Sequence, residues 1–221
     1  MYSVGQAVKW NLGGDVSRKY EQRARADSAA ATRRRVLEAV YRRLREAPSV
    51  PVSVDGVAQD AGVARSTVYL VFGSRGGLFD AFGEYLYERA GFDRIVEAVQ
   101  DPDPREHLRR SLRAASEVYA AERDAARAVY STGAVDPDAM AGVAQRLEQT
   151  RAGGMDYLAR RLADAGLLQP GLSRREAADI LYAVTGFDTF DLLFTGRGLG
   201  ADEVAERLIH MAERSLLLDP G

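Results

Sequence analysis

Apolar residues recur at helical spacing along almost the whole of this 221-residue chain. In the segment AAATRRRVLEAVYRRLREA, Val36, Val40 and Leu44 are spaced four apart with arginines on the opposite side, which is typical of an amphipathic helix. Ser28 is a suitable N-cap for this helix. No alternating apolar and polar pattern of useful length predicts a strand. The pattern therefore predicts an all-α fold.

Breaks in the pattern separate the predicted elements. The prolines of APSVPVSVDGV end the first helix, and Ser53 can cap the second. Further along, apolar spacing predicts helices over residues 76–99, 104–121, 122–133, 137–167, 173–195 and 201–217. We divide the chain into an N-terminal arm over residues 1–27, a small helical domain over residues 28–75 and a larger helical domain over residues 76–221.

Charge is distributed unevenly between the ends of the chain. The net charge is −2, but residues 1–75 hold thirteen basic and seven acidic residues, whereas residues 76–221 hold seventeen basic and twenty-five acidic ones. A basic N-terminal part and an acidic C-terminal part indicate that the N-terminal part binds a polyanion. Solvated arginine-rich helix faces would give the same asymmetry. The arm is interpreted as a polar tail. The alternative is a basic arm that reaches along DNA through Arg18, Lys19, Arg23 and Arg25.

Several kinds of chemistry find little support in the composition. Cysteine is absent, which excludes disulfides and cysteine-based metal or nucleophile sites, and His107 and His210 lie far apart in sequence. Enzyme motifs such as G-x-S-x-G and H-E-x-x-H are missing, and TGRGLG follows no predicted strand, so we interpret it as a loop rather than a phosphate site. We expect no catalytic residues, metal or cofactor. Without a long apolar run or a signal peptide, we expect a cytoplasmic protein with no membrane partner.

A compact motif lies in GVAQDAGVARSTVYLVFGSRGGL. Ala58, Gly62 and Val68 supply a small residue, a glycine and a β-branched residue at the spacing that two short crossing helices need around a left-handed turn. We expect Val68, Leu70 and Phe72 to fill the buried side of the second short helix. The pattern indicates a helix-turn-helix, and the alternative is an ordinary corner between two helices.

Residues 33–82 resemble the DNA-binding domain of the TetR family of transcriptional regulators. The resemblance is carried by RRRVLEAVYRRL and by VSVDGVAQDAGVARSTVYLVFGSRGGLFDAF, with a hydroxyl before the second helix, Thr-x-Tyr in the third and Ser-Arg-x-x-Leu at the start of the fourth. Two departures are Ala64, where the family often has a capping serine, and Arg75, where it usually has lysine. The resemblance implies an N-terminal three-helix DNA-binding domain over residues 28–75 and a C-terminal helical domain, over residues 76–221, that dimerises and binds an effector.

The resemblance also implies which residues contact double-stranded DNA. Residues at the start of the third helix would reach base edges in the major groove, and residues at other helix starts would bind phosphates. The base-edge candidates are Arg65, Ser66 and Thr67, and the phosphate candidates are Ser53, Tyr69, Ser74 and Arg75. Tyr69 has a second interpretation as a core aromatic.

The larger domain supplies candidates for a dimer interface and an effector pocket. DILYAVTGFDTFDLLF and DEVAERLIHMAERSLLL look like the two helices that pair with a second copy in this family, and their interface candidates are Ile180, Leu181, Val184, Phe187, Val204, Leu208 and Met211. The pocket candidates are His107, Tyr119, Tyr130, Met155, Tyr157, Phe187 and Asp191, each of which has an alternative role in the core or on the surface.

The expected function is that of a homodimeric repressor that binds a palindromic operator and is released by a small, mostly apolar molecule. A constitutive DNA-binding regulator without a ligand is the alternative, and an all-α enzyme is a third class that the missing motifs disfavour. A closed apolar cavity after residue 100 would distinguish the first two.

Overall fold

The computed structural model describes residues 13–47, 50–135 and 142–218, and these residues form eleven helices. In chain order the helices are α1 (Gly13–Glu46), α2 (Val54–Ala61), α3 (Arg65–Phe72), α4 (Arg75–Arg89), α5 (Asp93–Val99), α6 (Pro104–Ala121), α7 (Arg123–Val135), α8 (Gly142–Asp164), α9 (Arg174–Val184), α10 (Phe187–Phe194) and α11 (Ala201–Leu216). The only β-type pairing in the described part of the chain is an isolated antiparallel bridge between Leu168 and Leu217. The prediction of an all-α fold is confirmed.

The first helix is longer than the sequence pattern predicted. It begins at Gly13 rather than at Ser28, so residues 13–27 of the predicted arm are helical, while residues 1–12 lie outside the described residues. The physical reason is that residues 18–27 are mostly good helix formers (three Arg, two Ala, and one each of Lys, Glu and Gln) and that no proline or glycine follows Gly14 within α1, so nothing interrupts the helix. Ser28 therefore lies exposed within α1 and is not its N-cap.

Two predicted helices are each divided in two. The helix expected over residues 76–99 breaks at Gly91, which has a left-handed φ of 69°, and continues as α5. The helix expected over residues 173–195 breaks at Thr185 and Gly186, where the extended backbone of Gly186 (φ −69°, ψ 146°) ends the helical run before α10. Both interruptions lie at a glycine, which loses more backbone freedom in a helix than other residues do.

The helices pack around two apolar cores. The first core joins α1–α4 and also includes Ala125, Ala128 and Val129 of α7 and Val143 of α8. The second core joins α6 and α8–α11. Helix α7 packs against α1, so the first core extends from α1–α4 into the larger helical part. Among the described residues, no helix is both long enough and apolar enough to cross a membrane.

Candidate nucleic-acid interface and internal cavity

The turn between α2 and α3 has the geometry that its small residues predict. The side-chain oxygen of Ser53 accepts a hydrogen bond from the backbone N–H of Gly56 at 3.1 Å and caps α2. Gly62 ends α2 with φ 65° and ψ 39°, a left-handed conformation that favours glycine. The N–H of Val63 then donates to the carbonyl of Ala58 at 3.0 Å. This compact turn brings α3 back against α2.

Helix α3 has a buried face and a strongly exposed face. Val68 and Phe72 are buried in the first core, and Tyr69 packs partly against it. Leu70 is 86 % exposed, so the prediction that it faces inward was wrong. Leu70 follows Val68 by two residues, and in a helix of 3.6 residues per turn this places the two side chains on nearly opposite sides. Ser66 is also exposed, one helical turn before Leu70.

Arg65 connects the starts of α2 and α3. Its Nη1 donates to both carboxylate oxygens of Asp55, at 3.0 and 2.8 Å, and its Nη2 donates to the hydroxyl of Tyr69 at 3.3 Å. The hydrogen bond with Tyr69 and the charge of Asp55 raise the pKa of Arg65. Arg65 and Asp55 are both exposed, so a nucleic-acid phosphate or base can compete with Asp55 for the guanidinium.

The start of α4 is held close to the end of α3. The hydroxyl of Ser74 accepts from the N–H of Gly77 at 2.9 Å and caps the helix. A Cβ atom on Gly77 would lie only 2.1 Å from the carbonyl oxygen of Phe72, so this approach requires glycine. Arg75 donates to the carbonyl of Val52 at 3.4 Å, and its guanidinium lies 5.4 Å from the Phe79 ring centroid.

These contacts bring the predicted DNA-contacting residues to one side of the molecule. The Arg65–Asp55 pair joins the starts of α2 and α3, and the bond from Arg75 to the residue before Ser53 joins the starts of α2 and α4. We call this side the α2–α4 surface. It carries Ser53, Arg65, Ser66, Thr67, Tyr69, Ser74 and Arg75, together with Leu70, which the sequence interpretation missed. Helix starts present backbone N–H groups that favour anions.

A cavity of about 280 Å³ lies among α4–α8. Its wall is mainly aliphatic and aromatic, and four predicted pocket residues, His107, Tyr119, Tyr130 and Met155, line it. The apolar part of the wall comes from Leu86, Ala90, Phe92, Ile95, Val96, Val99, Ala115, Val118, Ala125, Ala126, Val129 and Leu147. The cavity is large enough for a small organic molecule.

Three other predicted pocket residues do not line the cavity. Tyr157 lies on the outer face of α8 and is 40 % exposed. Phe187 lies behind the wall, stacked on Tyr130 with 5.4 Å between ring centroids. Asp191 is buried away from the cavity in an ion pair with Arg123, 2.8 Å from carboxylate oxygen to Nε, and with Arg127. Its role is to join α10 to α7.

Polar groups on the α8 side of the cavity are bonded to one another. Tyr130 donates to Glu148 at 2.7 Å, and Arg151 also binds Glu148 while donating to the hydroxyl of Thr185 at 3.1 Å. Burial raises the pKa of Glu148, but hydrogen bonds from Arg151, Tyr182 and Tyr130 together lower it by more. The net result is a lowered pKa. Burial also raises the pKa of Tyr119 to about 12. This part of the wall therefore carries the Glu148–Arg151 ion pair of α8, which has no net charge, and the protonated phenols of Tyr119 on α6 and Tyr130 on α7.

The α6 side of the cavity contains His107, which is only 2 % exposed. Its Nδ1 lies 3.0 Å from Nη1 of Arg161. The same Nη1 donates to the carbonyl of Val99, and Nη2 of Arg161 donates to the carbonyl of Pro102. Burial and the neighbouring Arg161 charge lower the pKa of His107 to about 4. His107 is therefore a neutral imidazole at pH 7.

One cavity residue contacts the first helix directly. Glu122, the residue that caps the end of α6, accepts a hydrogen bond from the hydroxyl of Tyr41 at 2.5 Å and forms an ion pair with Arg89, 3.1 Å from carboxylate oxygen to Nε. Ala125 and Val129 of α7 line the cavity and also belong to the core that contains α1. Glu122, Ala125 and Val129 thus belong both to the cavity wall and to the contacts with the core around α1. No sequence signal identified Glu122 as this junction.

The predicted dimer-interface residues divide into enclosed and exposed ones. Leu181, Val204 and Leu208 are at most 2 % exposed because they pack in the chain's own second core, and Val184 and Phe187 are also buried. These five cannot form the surface that meets a second copy, which corrects the prediction. Ile180 is half-buried, and Met211 is 47 % exposed. The other exposed large apolar residues of α9–α11 are Tyr182 and Leu192.

Comparison with known proteins gives matches among solved structures. No family model matches the sequence, and no curated protein matches it either. A TetR-family transcription regulator from Marinobacter aquaeolei is similar at 20 % identity over 89 % of this chain and 100 % of that one, with a TM-score of 0.65. NalD, the secondary repressor of the MexAB-OprM multidrug efflux pump in Pseudomonas aeruginosa, is 22 % identical over 87 % and 99 %, with a TM-score of 0.66. The fatty acid degradation regulator FadR from Bacillus halodurans is 14 % identical over 81 % and 93 %, with a TM-score of 0.64. The chain has the fold of TetR-family transcription regulators.

Proposed function

We propose that this chain is a cytoplasmic TetR-family transcriptional regulator, a homodimeric repressor that binds a palindromic operator and is released by a small, mostly apolar molecule. The observation that carries the proposal is the α2–α4 surface, where three helix starts and two arginines lie on one side of the basic N-terminal part. The fold shared with known regulators, including a repressor, supports it.

The exposed face of α3 supports base reading in the major groove. Arg65, at the start of α3, can replace its hydrogen bonds to Asp55 with hydrogen bonds to O6 and N7 of a guanine. Ser66 and Thr67 offer hydroxyl groups to other base edges. Leu70 presents an apolar side chain that suits the methyl group of thymine. Ser53, Tyr69, Ser74 and Arg75 then bind phosphates and set the orientation of α3.

Helix α4 links this surface to the cavity. It begins at Arg75, and its last turns supply Leu86 and Tyr87 to the cavity wall, about 17 Å further along the helix axis. A ligand that displaces the far end of α4 also displaces its start, and the two recognition helices of a dimer then no longer match successive grooves. A coupling of about 1–3 kcal/mol would weaken operator binding roughly 5- to 150-fold. A closed cavity after residue 100 was the feature expected to distinguish the two, whereas this cavity is partly open and takes part of its wall from residues 86–99. Its size and apolar wall favour a ligand-responsive regulator over a constitutive one.

A dimer explains how one short helix reads a specific site. Two-fold symmetry doubles the contacts on a palindrome, and we infer that the exposed apolar side chains of α9–α11 form the surface that meets a second copy. Met211→Glu should give monomers that keep their helical content, as measured by sedimentation. Val50→Glu, which changes an exposed apolar residue before α2, should leave the dimer intact. A wild-type monomer at micromolar concentration would contradict the dimer.

Selection of bound sequences from a random DNA pool tests the proposal. We expect a palindromic motif, and Arg65→Ala should relax one position in each half-site at a cost of about 1–3 kcal/mol. Arg197→Ala, which removes an exposed arginine before α11, is the control and should not alter the motif. Uracil in place of thymine should weaken binding at the position that Leu70 contacts. Recovery of no motif, or equal loss of affinity for motif and random DNA on Arg65→Ala, would refute base reading by this surface.

A further inference from the structure

We propose that the cavity binds a neutral apolar molecule that carries a carbonyl oxygen, and that this oxygen accepts hydrogen bonds from His107 and Ser111. The inference rests on the proposed function, since it takes the cavity as the effector site. It specifies the chemistry of the ligand and the side chains that recognise it.

The tautomer of His107 follows from its partner. A guanidinium can only donate hydrogen bonds, so Nδ1 of His107 must accept from Nη1 of Arg161. The proton of the neutral ring is therefore on Nε2. No hydrogen bond to Nε2 is found among the residues that the structure describes, which leaves this N–H as a donor for a bound molecule.

Ser111 places a second donor beside the first. It follows His107 by four residues on α6, so both side chains lie on the same face of the helix. Both residues are buried, at 2 % and 7 % exposure, and both line the cavity. The Ser111 hydroxyl has no hydrogen bond to any described residue. Two neighbouring donors fit the two lone pairs of one carbonyl oxygen.

The other polar groups of the cavity wall already have partners. Glu122 is bound by Tyr41 and Arg89, and Arg151 is bound to Glu148. The remaining hydroxyls pair with other wall or network residues: Tyr130 with Glu148, Tyr119 with the Thr185 carbonyl, Thr185 with the Leu181 carbonyl, and Tyr87 with Thr150. The α6 side is therefore where a ligand gains new hydrogen bonds.

The charges around this pair of donors favour a neutral ligand. Arg161 already donates to two backbone carbonyls and to His107, and Asp101 lies on the same side with an opposite charge. A carboxylate would be buried beside a neutral imidazole without a cation of its own, which is costly in an apolar site. A volume of about 280 Å³ holds roughly a dozen non-hydrogen atoms at the packing density of protein interiors.

Decan-2-one is a suitable probe, with decanoate and decylamine as charged comparisons of matched chain length. Calorimetric titration at pH 7.5 should show that decan-2-one binds at least ten-fold more tightly than either. His107→Asn keeps an acceptor for Arg161 but loses the Nε2 donor, and Ser111→Ala loses the hydroxyl. Each should weaken binding about 3- to 10-fold, and the double variant about 10- to 100-fold. Ser116→Ala, a buried change on the same helix that is outside the cavity wall, should have no effect.

Nitrogen NMR of the two histidines gives a direct readout. Decan-2-one should shift the Nε2 resonance of His107 and leave that of the exposed His210 unchanged. The proposal is overturned if decan-2-one does not bind, if decanoate binds more tightly, or if Ser111→Ala and the double variant bind like wild type. If decan-2-one binds at His107 but does not weaken DNA binding, the ligand chemistry stands and the release mechanism of the proposed function fails. If it does not bind while the protein still selects an operator, only the ligand chemistry fails.

Discussion

Protonation of His107 should make the protein less stable in mildly acidic solution. Burial, with a further contribution from Arg161, lowers its pKa from 6.5 to about 4 in the folded protein, and Asp101 opposes this only in part. The unfolded chain keeps the ordinary value and binds a proton more readily. Stability therefore falls as the pH decreases through 6.5, and the loss is complete below pH 4.

The size of the effect follows from the two pKa values. Between pH 8 and pH 5 the linkage relation gives a loss of about 2 kcal/mol of unfolding free energy from this single group. For a chain of this length, that corresponds to a decrease in Tm of roughly 4–8 °C. Asp101, Glu148 and Glu176 have lowered carboxyl pKa values and titrate below this window.

Thermal or urea unfolding measures the effect. The protein concentration is held fixed, because the stability of the proposed dimer would depend on it. His107→Asn has no ring to protonate, so its stability should change by about 2 kcal/mol less than that of wild type between pH 8 and pH 5. His210→Asn, which changes the exposed histidine, should behave like wild type. Equal pH dependence in wild type and His107→Asn would show that His107 is not held neutral by burial.

Three further substitutions test the interface and its connection to the cavity. Gly77→Ala should destabilise the protein by about 1–3 kcal/mol in urea unfolding, because the new Cβ would meet a backbone carbonyl, whereas Gly76→Ala has room and should be neutral or stabilising. Asp55→Asn should strengthen DNA binding at low salt in a titration, because it removes a carboxylate from the α2–α4 surface, and unchanged affinity would place that surface away from DNA. Tyr41→Phe removes the hydroxyl that joins α1 to the cavity wall, so it should reduce the effect of decan-2-one on DNA affinity, while Tyr157→Phe, an exposed change outside the cavity wall, should not. Equal ligand response in both tyrosine variants would exclude Tyr41 from the coupling.

The sequence determined the class of fold and the position of the helix-turn-helix. These features depend on interactions between residues close in the chain, such as the left-handed turn at Gly62 and the caps at Ser53 and Ser74. Local patterns were less reliable for helix ends. Ser28 is a good cap residue, but the segment before it is also helical, so α1 does not begin there. Apolar spacing alone predicted single helices over residues 76–99 and 173–195, and the breaks at Gly91 and Gly186 divide each of them in two.

Only the tertiary structure decided which apolar and polar residues face inward. The spacing of Leu208 and Met211 marks both as apolar positions of one helix, yet packing of α11 against α6 and α9 buries the first and exposes the second. His107 and Ser111 are four residues apart, which is a local signal. Their burial, however, depends on packing against α8, which also supplies Arg161, the partner of His107, over fifty residues further along. The junction of Tyr41 with Glu122 spans 81 positions. Contacts at such separations depend on how the helices pack together, and helical periodicity in one segment does not specify its neighbours.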